Sequence, residues 1–108
     1  MANNYKFTGV ALATTDETSL LTAATGETII IRSIRVTNNT SNTPTISMDI
    51  SDNSAATEYT ILKTQTLSAN TAIEIIKVPL VLEVNDILKA TMSSADSTHI
   101  GISHLVIT

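Results

Sequence analysis

Neither cysteine nor tryptophan occurs in this chain of 108 residues. The first absence removes disulfides, thiolate metal sites and thiol nucleophiles together, and it leaves the redox compartment unreadable. Tyr5, Phe7 and Tyr59 are the only aromatics. Sugar sites generally build on aromatic platforms, so a carbohydrate-binding reading starts with little material. Gly9, Gly26 and Gly101 are the only glycines and lie far apart, which excludes a phosphate-cradling loop. Basic residues are scarce as well. Lys6, Arg32, Arg35, Lys63, Lys77 and Lys89 form no run, and the net charge is −4. The positive footprint that phosphates require is missing, so nucleic acid is not an expected partner. Apolar runs such as Ile29 to Ile31, stopped by Arg32, fall far short of the roughly 18 residues of a membrane helix. Residues 1–6 lack the basic-then-apolar pattern of a signal peptide. The expectation is a soluble protein made in a cytoplasm, with no membrane partner.

Catalytic patterns are missing too. His99 and His104 sit an odd number of positions apart on one alternating segment, so they point to opposite faces and cannot share a metal. His104 falls on the apolar face, where a hydrogen-bonded core or interface histidine is the ordinary outcome. Its charge can change near neutral pH, which would suit a pH-sensitive interface. No nucleophile turn of the G-x-S-x-G kind accompanies the many serines. Asp16-Glu17 reads as a turn. Asp49, Asp52 and Glu58 lack the alternating spacing and central glycine of a calcium loop, so a solvated loop is the default. Overlapping glycosylation sequons at Asn38 to Ser41 have no secretion signal to make them meaningful. The expectation is a non-enzyme with no catalytic residue, metal site or cofactor.

What the chain does contain is alternation. Ile46, Met48 and Ile50 share one face opposite Ser47 and Asp49, and Ile100, Ile102, His104 and Val106 oppose Gly101, Ser103, Leu105 and Ile107. Thr and Ile dominate these runs, and β-branched side chains suit a pleated surface. The pattern predicts strands over 6–13, 20–23, 28–38, 45–51, 58–66, 72–82, 87–92 and 99–107. Short turns rich in Asn, Asp, Ser and Thr separate them, at Asp16, Gly26, Asn39, Asn53, Asn70, Asn85 and Asp96. About eight short strands at even spacing predict a single all-β domain over 1–108, an antiparallel sandwich of the jelly-roll kind.

Two irregularities refine that expectation. Ile29 and Ile31 share one face while Ile34 and Val36 fall on the other, so a one-residue bulge or a bend is expected near Arg32-Ser33. Pro79 cannot donate to a ladder and belongs at an edge or a bulge. Charged residues make up only 15% of the chain, against the usual quarter or so, and Ser, Thr and Asn fill the deficit. A surface this poor in charge is under-protected against association, which points to coverage by neighbours.

Four segments together resemble a family of small virion structural proteins of tailed bacteriophages, common among phages of marine bacteria. They are 24–38, a turn at Gly26 and a strand through Arg32 and Arg35 to Asn38; 52–63, with Tyr59 ahead of Ile61-Leu62; 67–90, with Val78-Pro79-Leu80 and Asn85-Asp86; and the closing 102–108. They cover most of the chain beyond residue 24, and their order and spacing carry the likeness. Asn85 departs from a pattern that usually has glycine there, and Asn is the next best residue for a left-handed turn.

The resemblance implies a particle component without catalytic residues. The expected role is a decoration or cement protein on the capsid exterior, bound to the major capsid protein or other virion proteins. Homo-oligomers, trimers above all, would bridge capsid subunits. A tail, neck or fibre-attachment component is the alternative within the particle. A host-surface carbohydrate-binding module and an unrelated cellular interaction domain are more remote. Candidate interface residues are Tyr5 and Phe7 near one end of the chain, His104, Leu105 and Ile107 near the other, and Arg32 and Arg35 between.

Overall fold

Alternation at period two sends successive side chains to opposite faces of a strand. In the computed structural model, which describes residues 2–108, those strands form two antiparallel sheets packed as a sandwich. The elements are β1 (Asn3–Leu12), β2 (Thr18–Thr22), β3 (Thr28–Asn38), β4 (Thr45–Asp52), β5 (Thr57–Thr66), β6 (Ala72–Glu74), β7 (Leu80–Leu82), β8 (Ile87–Met92) and β9 (Thr98–Ile107). One sheet runs β1-β9-β3-β6, with β7 also on β3, and the other runs β2-β8-β4-β5.

The strand expected over 72–82 is two short strands, β6 and β7, so the described residues form nine strands where about eight were expected. β6 pairs with residues 35–37 of β3 and β7 with residues 29–31. Between them the chain leaves the ladder after Ile75 and returns at Leu80, past Pro79, which has no N–H to offer. Taken as one interrupted strand, β6 and β7 restore the eight-strand jelly roll, whose chain crosses repeatedly between the sheets.

The core lies between the sheets, and its apolar cluster is built from Ile, Leu, Val, Met and Ala alone. Ile29, Ile31, Ile34, Val36, Ile100 and Ile102 come from one sheet and Ile46, Met48, Leu88, Ala90 and Met92 from the other, all buried. β3 delivers its share through the expected bulge. Its register against β9 shifts between Ile31 and Ser33, where two steps on β3 match one from His104 to Ser103. Arg32 is the extra residue, exposed to solvent, and the slip brings Ile34 and Val36 to the same face as Ile29 and Ile31.

Buried polar side chains tie down the sandwich ends. Asn38 is fully buried at the end of β3. Its Nδ2 donates to the carbonyls of Asn42 (2.8 Å), Ser68 (3.2 Å) and Leu67 (3.3 Å). Its Oδ1 accepts from the Thr40 N–H (3.0 Å) and hydroxyl (2.7 Å). Elsewhere the Asp86 carboxylate accepts from the Asn53 N–H (2.9 Å) and the Glu83 N–H (3.0 Å). The turn beside it needs a left-handed residue, which Asn85 supplies at φ 66°. Asn70 does the same at φ 53°. Thr64, at φ 47°, was not foreseen. A β-branched residue is strained there, and it sits where β5 slips against β4, its N–H bonded to Ser47 Oγ at 2.9 Å.

Two outcomes follow. Deleting Arg32 removes the extra residue, so strict alternation through Ile31-Ser33-Ile34-Arg35-Val36 keeps Ile34, Val36 and Asn38 inward, and thermal unfolding should stay cooperative. Asn38→Asp sets a carboxylate against three carbonyl oxygens, and denaturant titration should show a loss of about 3 kcal/mol or more.

Candidate docking face

The ladder pairs fix which side chains share the outward face of the five-stranded sheet, because directly opposed residues project to the same side. One row crosses four strands as Tyr5, Leu105, Ile30 and Val81. The next row places Asn3, Ile107 and Thr28 together, and the row on the other side places Phe7, Ser103 and Ser33. Farther along come Gly9, Gly101, Arg35 and Glu74, then Ala11, His99, Thr37 and Ala72. The face is thus apolar at one end and polar at the other. Tyr5 is 75% exposed, Phe7 71% and Val81 53%, while Leu105, Ile30 and Ile107 are half-buried.

Phe7 lies back over the sheet. A β-carbon on Gly101 would stand 2.9 Å from its Cε1 and one on Gly9 3.3 Å from its Cε2. The ring therefore covers the paired glycines and presents its other side to solvent. Beyond it a shallow groove runs past Ser33, Arg35, Glu74 and His99. Arg35 Nε donates to Glu74 Oε1 at 3.2 Å, and the Ser33 hydroxyl donates to Glu74 Oε2 at 2.9 Å. An exposed pair of this kind adds little stability. Arg32 lines a second recess with Tyr5, Lys6 and Phe7, and among the described residues it makes no salt bridge.

The other sheet shows what a solvated face looks like in the same chain. Its outward rows carry Ser47 with Thr91, and Asp49 and Ser19 flanking Lys89. The Lys89 ammonium bonds Glu58 at 3.1 Å and approaches Glu17 at 3.6 Å. The bond to Glu58 holds it above its usual value.

Of the candidate residues, Tyr5, Phe7, Arg35, Leu105 and Ile107 meet on the outward face, with Arg32 beside them at the bulge. His104 borders the same recess as Arg32 but does not turn its ring to the outward face. It points between the sheets, is nearly fully buried, and has Nε2 3.0 Å from Thr8 Oγ1. Its Nδ1 is buried without a partner. The less costly tautomer carries the proton on Nε2 and donates it to Thr8, leaving a bare acceptor at Nδ1 rather than an orphaned donor. Ile30 and Val81 belong to the face and were missed, although the alternation that puts Ile29 and Ile31 in the core already turns Ile30 outward. Among the described residues no group of three or more His, Asp or Glu is placed to hold a metal ion.

No protein-family model matches the chain, and no curated protein matches it either. Solved structures do resemble it. A chain of Bacillus endospore appendages, described as disulfide-linked pili, superposes with a TM-score of 0.54 at 10% identity, over 96% of this chain and 85% of that one. The Drosophila NLP core, described for pentamer formation and histone binding, gives 0.52 at 15% identity over 94% and 98%. A chain of infectious bursal disease virus gives 0.49 at 9% identity over 96% and 32%, too loose a likeness to argue from. At these identities the likeness establishes the jelly-roll-like fold and nothing finer.

Burial holds the His104 imidazole below its usual 6.5, with Lys6 pushing the same way and Glu27 opposing. The unfolded chain therefore takes up this proton first as pH falls. The associated stability is full above about pH 6.5 and declines as pH drops through that value toward the lower folded one. Melting temperature should fall between pH 7.5 and 5.5, and His104→Gln should flatten that slope.

Proposed function

We propose that this chain is a non-enzymatic structural subunit of a tailed-phage particle, a decoration or cement protein on the capsid exterior. The observation that carries the docking role is the apolar row Tyr5–Leu105–Ile30–Val81, flanked by Phe7 and Ile107, on one outward face only. Aromatic and aliphatic side chains gathered on an otherwise lightly charged surface are the composition of an interface core. The segments resembling virion structural proteins supply the particle context.

On this reading the row packs against capsid subunits where they meet, and Arg32 at its margin adds a cation for an acidic partner. Each contact is weak, and repetition by the symmetry of the shell turns many of them into resistance to internal pressure through avidity. The net charge of −4 keeps the exposed remainder from binding the packaged genome. The folds reported above serve in a pilus and in a pentamer. This chain has no cysteine, so its own assembly would hold without disulfides. A second reading rests on the Phe7 ring beside Arg35, Glu74 and His99, where a host-surface sugar could stack and hydrogen-bond.

Quantitative mass spectrometry of purified particles tests the assignment. A decoration role expects about one copy per major capsid subunit, or about a third of that for trimers at selected sites. A handful of copies would move the protein to the tail or neck. Leu105→Glu, which changes only the outward face, should weaken binding to stripped particles at least about tenfold with melting temperature little changed. Equal weakening by His99→Ala, with Leu105→Glu neutral, would favour the sugar-binding groove.

A further inference from the structure

The backbone of β1 is as informative as its side chains. Ala2 and Thr108 exchange both backbone bonds across the first ladder, at 3.1 and 2.9 Å. In an antiparallel pair the bonded positions alternate. The unbroken register from Asn3–Ile107 to Leu12–Thr98 then makes Asn4, Lys6, Thr8, Val10 and Leu12 the residues that bond β9. Asn3, Tyr5, Phe7, Gly9 and Ala11 turn their N–H and C=O groups away from the sheet. Among the described residues no strand lies beyond β1 in that direction.

Natural sheets blunt such an edge with proline, bulges, charge or brevity. The other edges of this sandwich are blunted. β6 and β7 are three residues each and are interrupted ahead of Pro79. β2 has five residues and a register break. β5 slips twice against β4 and carries Thr64 at φ 47°. β1 has ten residues, no proline, no bulge, and Lys6 as its only charge. Among the described strands, the one that matches it in length and regularity is another β1.

We propose that two copies of this chain pair β1 to β1, antiparallel about a two-fold axis, joining their five-stranded sheets into one. The register follows from parity and charge. Outward-bonding residues must face outward-bonding residues. A two-fold at Lys6 sets two ammonium-bearing side chains directly opposite at the closer kind of pair, with Cα atoms about 4.5 Å apart. A two-fold at Thr8 leaves Asn3 with no strand residue to face. A two-fold at Phe7 gives every outward-bonding residue a partner. Asn3 then meets Ala11 of the second copy, Tyr5 meets Gly9, Phe7 meets Phe7, and Lys6 meets Thr8. The Phe7 ring already lies over Gly9, so the incoming Tyr5 ring would pack against that ring. The apolar row is carried across the axis, so the dimer offers two such rows on one continuous face. The pairing goes beyond the particle role and does not depend on it.

Sedimentation equilibrium of the full chain at about 100 µM should give a dimer, a concentration far above a micromolar Kd. Tyr5→Pro removes an outward N–H and spares the ladder to β9, as edge positions allow. It should weaken dimerisation at least about tenfold while the melting transition stays cooperative. Thr8→Pro cuts the inner ladder and should instead lower the melting temperature. Because the chain has no cysteine, Phe7→Cys reads the register: on mild oxidation it should form a disulfide-linked dimer, and Tyr5→Cys should not. A monomer or a trimer for the unaltered chain, a dimer indifferent to Tyr5→Pro, or preferential cross-linking of Tyr5→Cys would each overturn the proposal. A β1-paired dimer that is absent from phage particles would sink the particle role alone.

Discussion

Arg32 is one residue too many in β3, and most of the fold depends on the bulge that absorbs it. β3 is the inner strand on which β9, β6 and β7 all pair. Strict alternation along it would bury Ile29 and Ile31 and expose Ile34, Val36 and Asn38. The bulge lets one strand commit both halves to the same core, and β6 and β7 of the partner edge pair on either side of it. It also leaves a guanidinium on the surface beside Tyr5 and Phe7. A single bulge thus keeps the core face intact, lies between the two halves of the broken edge and places a cation at the margin of the outward apolar row.

The core it completes contains no Phe, Tyr or Trp ring and no disulfide, so the loops need another anchor. Asn38 and Asp86 provide it. Each is buried and bonds backbone groups from distant segments, and for a group in that position a lost partner costs more than the bond itself contributes. They fix loops that an aliphatic core of this size could not hold by packing alone. His104 is the less complete counterpart, one nitrogen bonded and one orphaned. That makes it the buried polar group whose contribution depends on pH.

Much of this was legible in the residues. Period-two alternation located the strands apart from the split of 72–82, the switch of face within 28–38 called for a bulge or a bend near Arg32-Ser33, and Asn70 and Asn85 marked left-handed turns. What stayed hidden depends on partners distant in sequence. Pro79 marked 72–82 as irregular, but that it splits into two strands on either side of the bulge depends on its pairing with β3. Likewise nothing at Thr64 announces positive φ, since the strain follows from slippage against β4. The docking face was half legible for the same reason. Alternation turns Tyr5, Phe7, Leu105 and Ile107 outward, but only the pairing order sets Leu105 between Tyr5 and Ile30 and extends the row to Val81. His104 went the other way: its place on the apolar face was readable, and that place excludes it from the outward surface.

The distribution of aromatics is the strongest sign that the outward row has a purpose. Burying a ring is among the largest single gains available to a small core, yet all three rings of this chain lie more than half exposed. Two of them sit on β1, one of them folded over a pair of glycines that leave it room. The opposite sheet shows that the same chain can make a face of Ser, Thr and a networked Lys89. Solvation therefore does not explain the apolar row, and neither does core packing, since the core is filled from the other side. An exposed apolar row next to an open, regular strand edge is an aggregation hazard in a solitary protein. Both features become assets when neighbours cover them, and their coincidence on β1 is what an assembling subunit requires.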